Sequence, residues 1–157
     1  MQLFYGVPED IENWMRLVNQ ISWNFPGLET QEKLDDYKAT VLRFMGKRQA
    51  IFVKADDEIA GVMLFSKGHN MICCLGVSLD YRRRGVASML MDEALRNLDR
   101  TREISVCTFR ADDEKGVAPR ALYEKYGFIE DALVEALGYP NQKYILRPIG
   151  PDRCTNS

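Results

Sequence analysis

Between residues 71 and 98 the chain passes from an apolar run, through a turn of three arginines and a glycine, into an amphipathic pattern. This succession limits the fold more than any other segment. Met71–Val77 (MICCLGV) is apolar at almost every position, as in a strand buried on both faces and central in a sheet. Val86, Ala87, Leu90, Met91, Ala94, Leu95 and Leu98 share one helical face, with Asp92, Glu93, Arg96 and Asn97 on the other, which predicts a helix over 86–98. The connection Leu79-Asp80-Tyr81-Arg82-Arg83-Arg84-Gly85 therefore brings positive charge to a helix N-terminus. Unpaired N–H groups and the helix dipole already favour an anion there. Gly85 and the small Ala87 allow close approach to the backbone, and three arginines suit a multiply phosphorylated ligand. No GxxxxGK[ST] is present, which excludes a P-loop, and no GxGxxG follows the strand, which leaves a dinucleotide-binding turn unsupported.

The rest of the pattern completes one mixed α/β domain. After a short opening strand, Pro8-Glu9-Asp10 starts a helix with apolar positions Ile11, Trp14, Met15, Val18 and Ile21. Asn24-Phe25-Pro26-Gly27 breaks it, and a second helix is predicted over 30–45, where Thr30 and Lys33 do not make a full capping box. Runs at 50–53 and 59–65 read as a hairpin around Asp56-Asp57-Glu58. A strand at Ile104–Phe109, a short helix over 120–126 with Pro119 near its start, and strands at 128–137 and 144–146 around Gly138-Tyr139-Pro140-Asn141 follow. The domain is expected to occupy 1–149, with a disordered tail over 150–157.

The chain has 157 residues, 46% hydrophobic and 28% charged, an ordinary globular composition, and its net charge of -2 gives no overall bias toward nucleic acid. No apolar run approaches the roughly 20 residues of a membrane helix. The opening MQLFYGVPEDIENW lacks the basic-then-apolar order of a secretory leader. Cys73, Cys74 and Cys107 are expected to be reduced, small apolar core residues, and the compartment cytoplasmic. Without a CxxC pair, and with His69 the one histidine, placed in a turn, no metal site is expected.

Arg82-x-x-Gly85-x-Ala87, after a strand ending Leu75-Gly76-Val77, resembles the acyl-CoA turn of the GNAT acetyltransferase superfamily, [RQ]-x-x-G-x-[GA]. Ala121-Leu122-Tyr123-Glu124-Lys125-Tyr126-Gly127-Phe128 is similar to that superfamily's second signature, and the order of elements matches from end to end. The resemblance implies a single-domain α/β fold with a mixed, mostly antiparallel central sheet flanked by about four helices. It implies acetyl-CoA as co-substrate, with the pantetheine arm pairing along Leu75, Gly76 and Val77. The pyrophosphate would then lie within Arg83, Arg84, Gly85, Val86, Ala87 and Ser88, while Arg82 shapes the turn.

The reaction so implied is attack of a neutral amine on a thioester. Tyr123 matches the family's general acid, although proton transfer from a tyrosine to a thiolate is uphill by about 1.5 pKa units, roughly 2 kcal/mol, so a strong hydrogen bond to sulfur is the better description. A backbone N–H near Val77 would face the carbonyl oxygen. The apolar strand offers no acid as base, and Asp112 and Asp113 are nearest by pattern. Gly116 stands where many relatives have a cofactor-contacting asparagine. An amine acceptor, small molecule or peptide, is expected between the first two helices and the region of Tyr139, with Trp23, Asn24 and Phe25 as wall residues. The family admits a homodimer. Two readings compete with the enzyme: an acyl-CoA sensor without turnover, and an unrelated α/β domain that uses the arginine turn for a nucleotide or nucleic acid.

Overall fold

The computed structural model describes residues 1–22, 28, 30–109, 112–136 and 139–149. The substrate-wall candidates Trp23, Asn24 and Phe25 and the tail over 150–157 lie outside the described residues. Seven strands and four helices follow the expected order: β1 (Gln2–Tyr5), α1 (Ile11–Ile21), α2 (Gln31–Gly46), β2 (Ala50–Ala55), β3 (Glu58–Ser66), β4 (Met71–Val77), α3 (Val86–Asn97), β5 (Ile104–Phe109), α4 (Val117–Lys125), β6 (Ile129–Ala136) and β7 (Tyr139–Leu146). They form one mixed sheet, β1-β2-β3-β4-β5-β7-β6, in which β4–β5 is the parallel pair and the others are antiparallel.

Alternation in the strands builds two layers. Ile51 and Val53 of β2 join a core with Leu90 and Met91 of α3 and with Tyr123 of α4. Ala50 and Phe52 join a second core with Trp14 and Val18 of α1 and with Val41 and Met45 of α2. The β2–β3 hairpin turns on Asp56 and Asp57, both with positive φ (52° and 65°), as a two-residue primed turn requires. Thr30 Oγ1 accepts the Lys33 N–H at 3.2 Å, half of a capping box, since residue 33 has no carboxylate to return the bond.

Two boundaries differ from the sequence reading by three residues or more. α4 begins at Val117, with Pro119 its third residue, because the first N–H groups of a helix need no partner. β7 begins at Tyr139 rather than Tyr144. Pro140 and Asn141, read as turn residues, pair with Glu135 and Val134 of β6, and proline is tolerated at the start of a strand.

Asn70 does more than form a turn. Its left-handed backbone (φ 51°) points a buried amide at the connection between α3 and β5. Nδ2–H donates to the Asp99 and Glu103 carbonyls at 2.9 and 3.0 Å, and Oδ1 accepts the Asp99 N–H at 2.8 Å. Asn70→Ala is expected to cost about 2 kcal/mol by orphaning these groups, measured as a lower denaturation midpoint at unchanged slope.

Candidate functional site

The site arises where β4 and β5 separate. Their ladder pairs Met71 with Ser105 and Ile72 with Val106 and then ends. On its other edge β4 stays paired with β3 to Val77. Leu64 faces Cys74 and Phe65 faces Ile72, so Cys73 is an extra residue, a bulge at the point of divergence. Beyond it opens a cleft of about 1250 Å³ whose walls include Leu75, Gly76 and Val77 on one strand and Val106, Cys107 and Thr108 on the other.

The arginine turn closes one end of this cleft. Gly85 caps α3 in the left-handed region (φ 84°), and a Cβ there would meet nothing within 4 Å, so the turn opens onto free space. Arg83 is also left-handed (φ 63°), an unusual state for a non-glycine residue. Arg82, Arg83, Gly85, Val86, Ala87 and Ser88 line the cleft. Arg84 does not; its guanidinium lies over the Tyr81 ring, 5.4 Å from the centroid. Tyr81 Oη in turn reaches Asp56 Oδ2 (3.3 Å), Glu58 Oε2 (3.4 Å) and the Ala55 carbonyl (3.4 Å), which braces the turn against the β2–β3 hairpin. Tyr126 Oη donates to Asp92 at 2.8 Å and joins the end of α4 to α3.

Tyr123 of α4 also lines the cleft, 4% exposed, its ring packed against Phe128 and Tyr144 at 5.9 and 6.2 Å. Burial, with smaller contributions from the thiols of Cys74 and Cys107, holds its phenol above the ordinary value near 10. The hydroxyl is therefore a neutral donor at every physiological pH.

The cysteine expectation needs correction. Cys73 is exposed, and Cys74 and Cys107 are intermediate. All three line the cleft, because the bulge and the strand divergence turn this stretch of β4 and β5 toward the opening, and of the three Cys74 also packs against the core shared with α1 and α2. All three are free thiols. The protein around Cys73 pushes its thiol up to about 11, and burial pushes Cys74 up to about 12. Cys74 Sγ lies 3.3 Å from Tyr37 Oη, which also accepts the Trp14 Nε1–H at 3.2 Å.

Asp112 and Asp113 do not reach the cleft wall; Asp113 instead accepts the Lys115 N–H at 3.0 Å beside the α4 start. Gly116 precedes α4 as its cap. Among the described residues the cleft's carboxylate is Asp36, on the face of α2 that also presents Lys33, Tyr37 and Thr40. Sequence reasoning missed Asp36, although its spacing from Lys33 and Thr40 marks that face. Cationic wall residues are Lys33, Arg82, Arg83 and Lys125, so positive charge prevails, as a polyphosphate needs. Tyr139 contributes backbone to β7, its side chain lying outside the described residues, and nearby Asn141 is buried on the wall. No cluster able to hold a metal, and no helix long and apolar enough to cross a membrane, occurs among the described residues.

A sheet opened between its parallel strands, over a helix N-terminus capped by an arginine-glycine turn, suits an extended ligand that ends in phosphate. A family model described as acetyltransferase (GNAT) domain matches residues 27–137, and the chain belongs to the GNAT acetyltransferase family. An acetyltransferase of the GNAT family from Bacillus cereus ATCC 10987 superposes with a TM-score of 0.69 at 19% identity, over 95% of this chain and 98% of that one. An N-acetyltransferase from Staphylococcus aureus Mu50 gives 0.71 at 17% identity, over 93% and 100%. The PaiA N-acetyltransferase from Thermoplasma acidophilum, solved in complex with coenzyme A, gives 0.66 at 15% identity, over 93% and 98%. No curated protein matches the sequence significantly.

Proposed function

We propose that the chain transfers the acetyl group of acetyl-CoA to a primary amine by direct attack on the thioester. One observation carries this reading: past Ile72 and Val106 the strands part, leaving the Leu75–Gly76–Val77 edge of β4 for an extended pantetheine arm to pair with, continuous with the turn at Gly85. The pyrophosphate then rests on the N–H groups of Gly85, Val86, Ala87 and Ser88, with Arg82 and Arg83 adding charge. Arg84 serves this site through Tyr81, as a brace of the turn.

As the amine nitrogen bonds to the carbonyl carbon, the C–S bond breaks and coenzyme A leaves as a thiolate. Tyr123 donates a hydrogen bond to that sulfur, and Asp36 is the carboxylate available to attract a cationic amine; the amine gives one proton to solvent before it attacks, and the second, made acidic as the N–C bond forms, passes to Asp36. Cys74, whose thiol burial pushes up to about 12 and which is engaged by Tyr37, is a poor nucleophile for an acetyl-cysteine intermediate, which supports direct transfer. Three free thiols also fit a reducing, cytoplasmic setting. The acceptor is a small-molecule or peptide amine.

Thiol release against a panel of amines tests the activity; binding without release for any amine would favour a sensor. Tyr123→Phe is expected to lower kcat about tenfold while coenzyme A affinity changes little. Because its raised pKa keeps the acid form fully present below that value, Tyr123 contributes no alkaline decline in kcat up to about pH 10. An unchanged kcat in the phenylalanine variant across that range would remove its role.

A further inference from the structure

The apex of the cleft holds a set of nucleophilic side chains that acetyl transfer does not use. The β4–β5 ladder ends at Ile72 and Val106, and the next residues on the two strands are Cys73 and Cys107, with Cys74 following. All three thiols are free and all line the cleft. They differ in availability. Cys74 is engaged with Tyr37 at 3.3 Å, Cys107 is half-buried, and Cys73 stands exposed on the bulge.

The cleft also has a direction. The phosphate turn follows Val77, so an arm anchored there and laid back along β4 carries its terminal sulfur toward Cys73. From Val77 to Cys73 is about 13 Å of strand, the order of an extended pantetheine arm.

We propose that this apex is a thiol–disulfide exchange site, at which Cys73 forms a mixed disulfide with coenzyme A delivered as its symmetrical disulfide. The inference rests on the coenzyme A reading of the cleft. In the exchange the Cys73 thiolate attacks one sulfur of the coenzyme A disulfide. The S–S bond of that disulfide breaks, a Cys73–S–S–coenzyme A bond forms, and the second coenzyme A leaves as a thiolate that takes up the proton Cys73 released. The cysteine sulfur is oxidised and one coenzyme A sulfur reduced, so the exchange balances. A tethered coenzyme A fills both the arm edge and the phosphate turn, and acetyl transfer stops until a free thiol reverses the bond. Since Cys73 is not an activated thiol, selectivity comes from the cleft holding the disulfide in place rather than from thiolate reactivity.

The test incubates the reduced full chain with coenzyme A disulfide, and separately with glutathione disulfide at the same concentration. Intact mass follows adduct formation, and peptide mapping of the wild-type adduct locates it. The expected result is one coenzyme A per chain on Cys73, formed at least about tenfold faster than the glutathione adduct, slowed by excess desulfo-coenzyme A, reversed by dithiothreitol and absent from Cys73→Ser. Mapping on the wild-type protein keeps the site assignment independent of how well that variant folds. An adduct on Cys74 or Cys107 instead, equal rates with glutathione disulfide, or no adduct from a protein that binds coenzyme A calorimetrically would each overturn the proposal. Failure to bind coenzyme A at all would instead sink the cofactor reading on which it depends.

Discussion

Gly85→Glu will lower coenzyme A affinity at least 100-fold, about 3 kcal/mol, while the protein remains folded. Gly85 caps α3 at φ 84° and faces open space, so a side chain there projects into the volume where the phosphates belong. The added carboxylate opposes a pyrophosphate at the point where the helix dipole and Arg82 and Arg83 otherwise attract it. Backbone strain is a separate and smaller effect, about 1 kcal/mol for a non-glycine residue in the left-handed region. Gly85→Ala separates the two: it carries the strain without the charge, and should lose similar stability but far less affinity. Calorimetric titration of both variants checks the comparison, and tight binding by the glutamate variant would refute the turn assignment.

Gly61→Val should destabilise the fold by about 3 kcal/mol, with Tm lower by roughly 6–12 °C, and should weaken coenzyme A binding as well. Gly61 sits on β3 opposite Val77, directly under the first turn of α3. A Cβ there would lie 2.5 Å from Val86 Cγ1 and 3.2 Å from Leu90 Cδ1, both fully packed. Val86 is β-branched and both side chains are buried, so relieving the clash pushes the N-terminal turn of α3 off the sheet, and that turn carries Gly85, Val86, Ala87 and Ser88. Calorimetric melting and coenzyme A titration of the same variant should therefore change together. A variant that melts early but binds normally would show that the turn is held by the Tyr81 brace alone.

Much of this was legible in the sequence because it is local. The apolar run of β4, the Arg82-x-x-Gly85-x-Ala87 turn and the α3 periodicity each lie within a short window, and each determines its own element. What the sequence hid depends on partners far along the chain. The end of the β4–β5 ladder at Val106 and the bulge at Cys73 are pairing events, and no single-strand pattern encodes them. This is why Cys73 and Cys107, read as core residues, stand on a cleft wall, and why Cys74 lines the cleft as well as packing on the core. The sequence reading groups Arg84 with Arg83 at the pyrophosphate and gives Arg82 the shaping of the turn; only the fold sets Tyr81 beneath Arg84 and the Asp56 and Glu58 carboxylates beside Tyr81. The reach of Asn70 to Asp99 and Glu103 is long-range in the same way. Asp36 was passed over for Asp112 and Asp113 because nearness in sequence to β5 stood in for nearness in space to the cleft.

The most direct measurement is calorimetric titration of the purified protein with coenzyme A, alongside ATP as a control polyphosphate. The account predicts one site per chain with a dissociation constant in the micromolar range, much weaker binding of ATP because it lacks the pantetheine arm, and loss of the signal in Gly85→Glu. Absence of coenzyme A binding, or equal binding of ATP, would contradict the assignment of the cleft between β4 and β5.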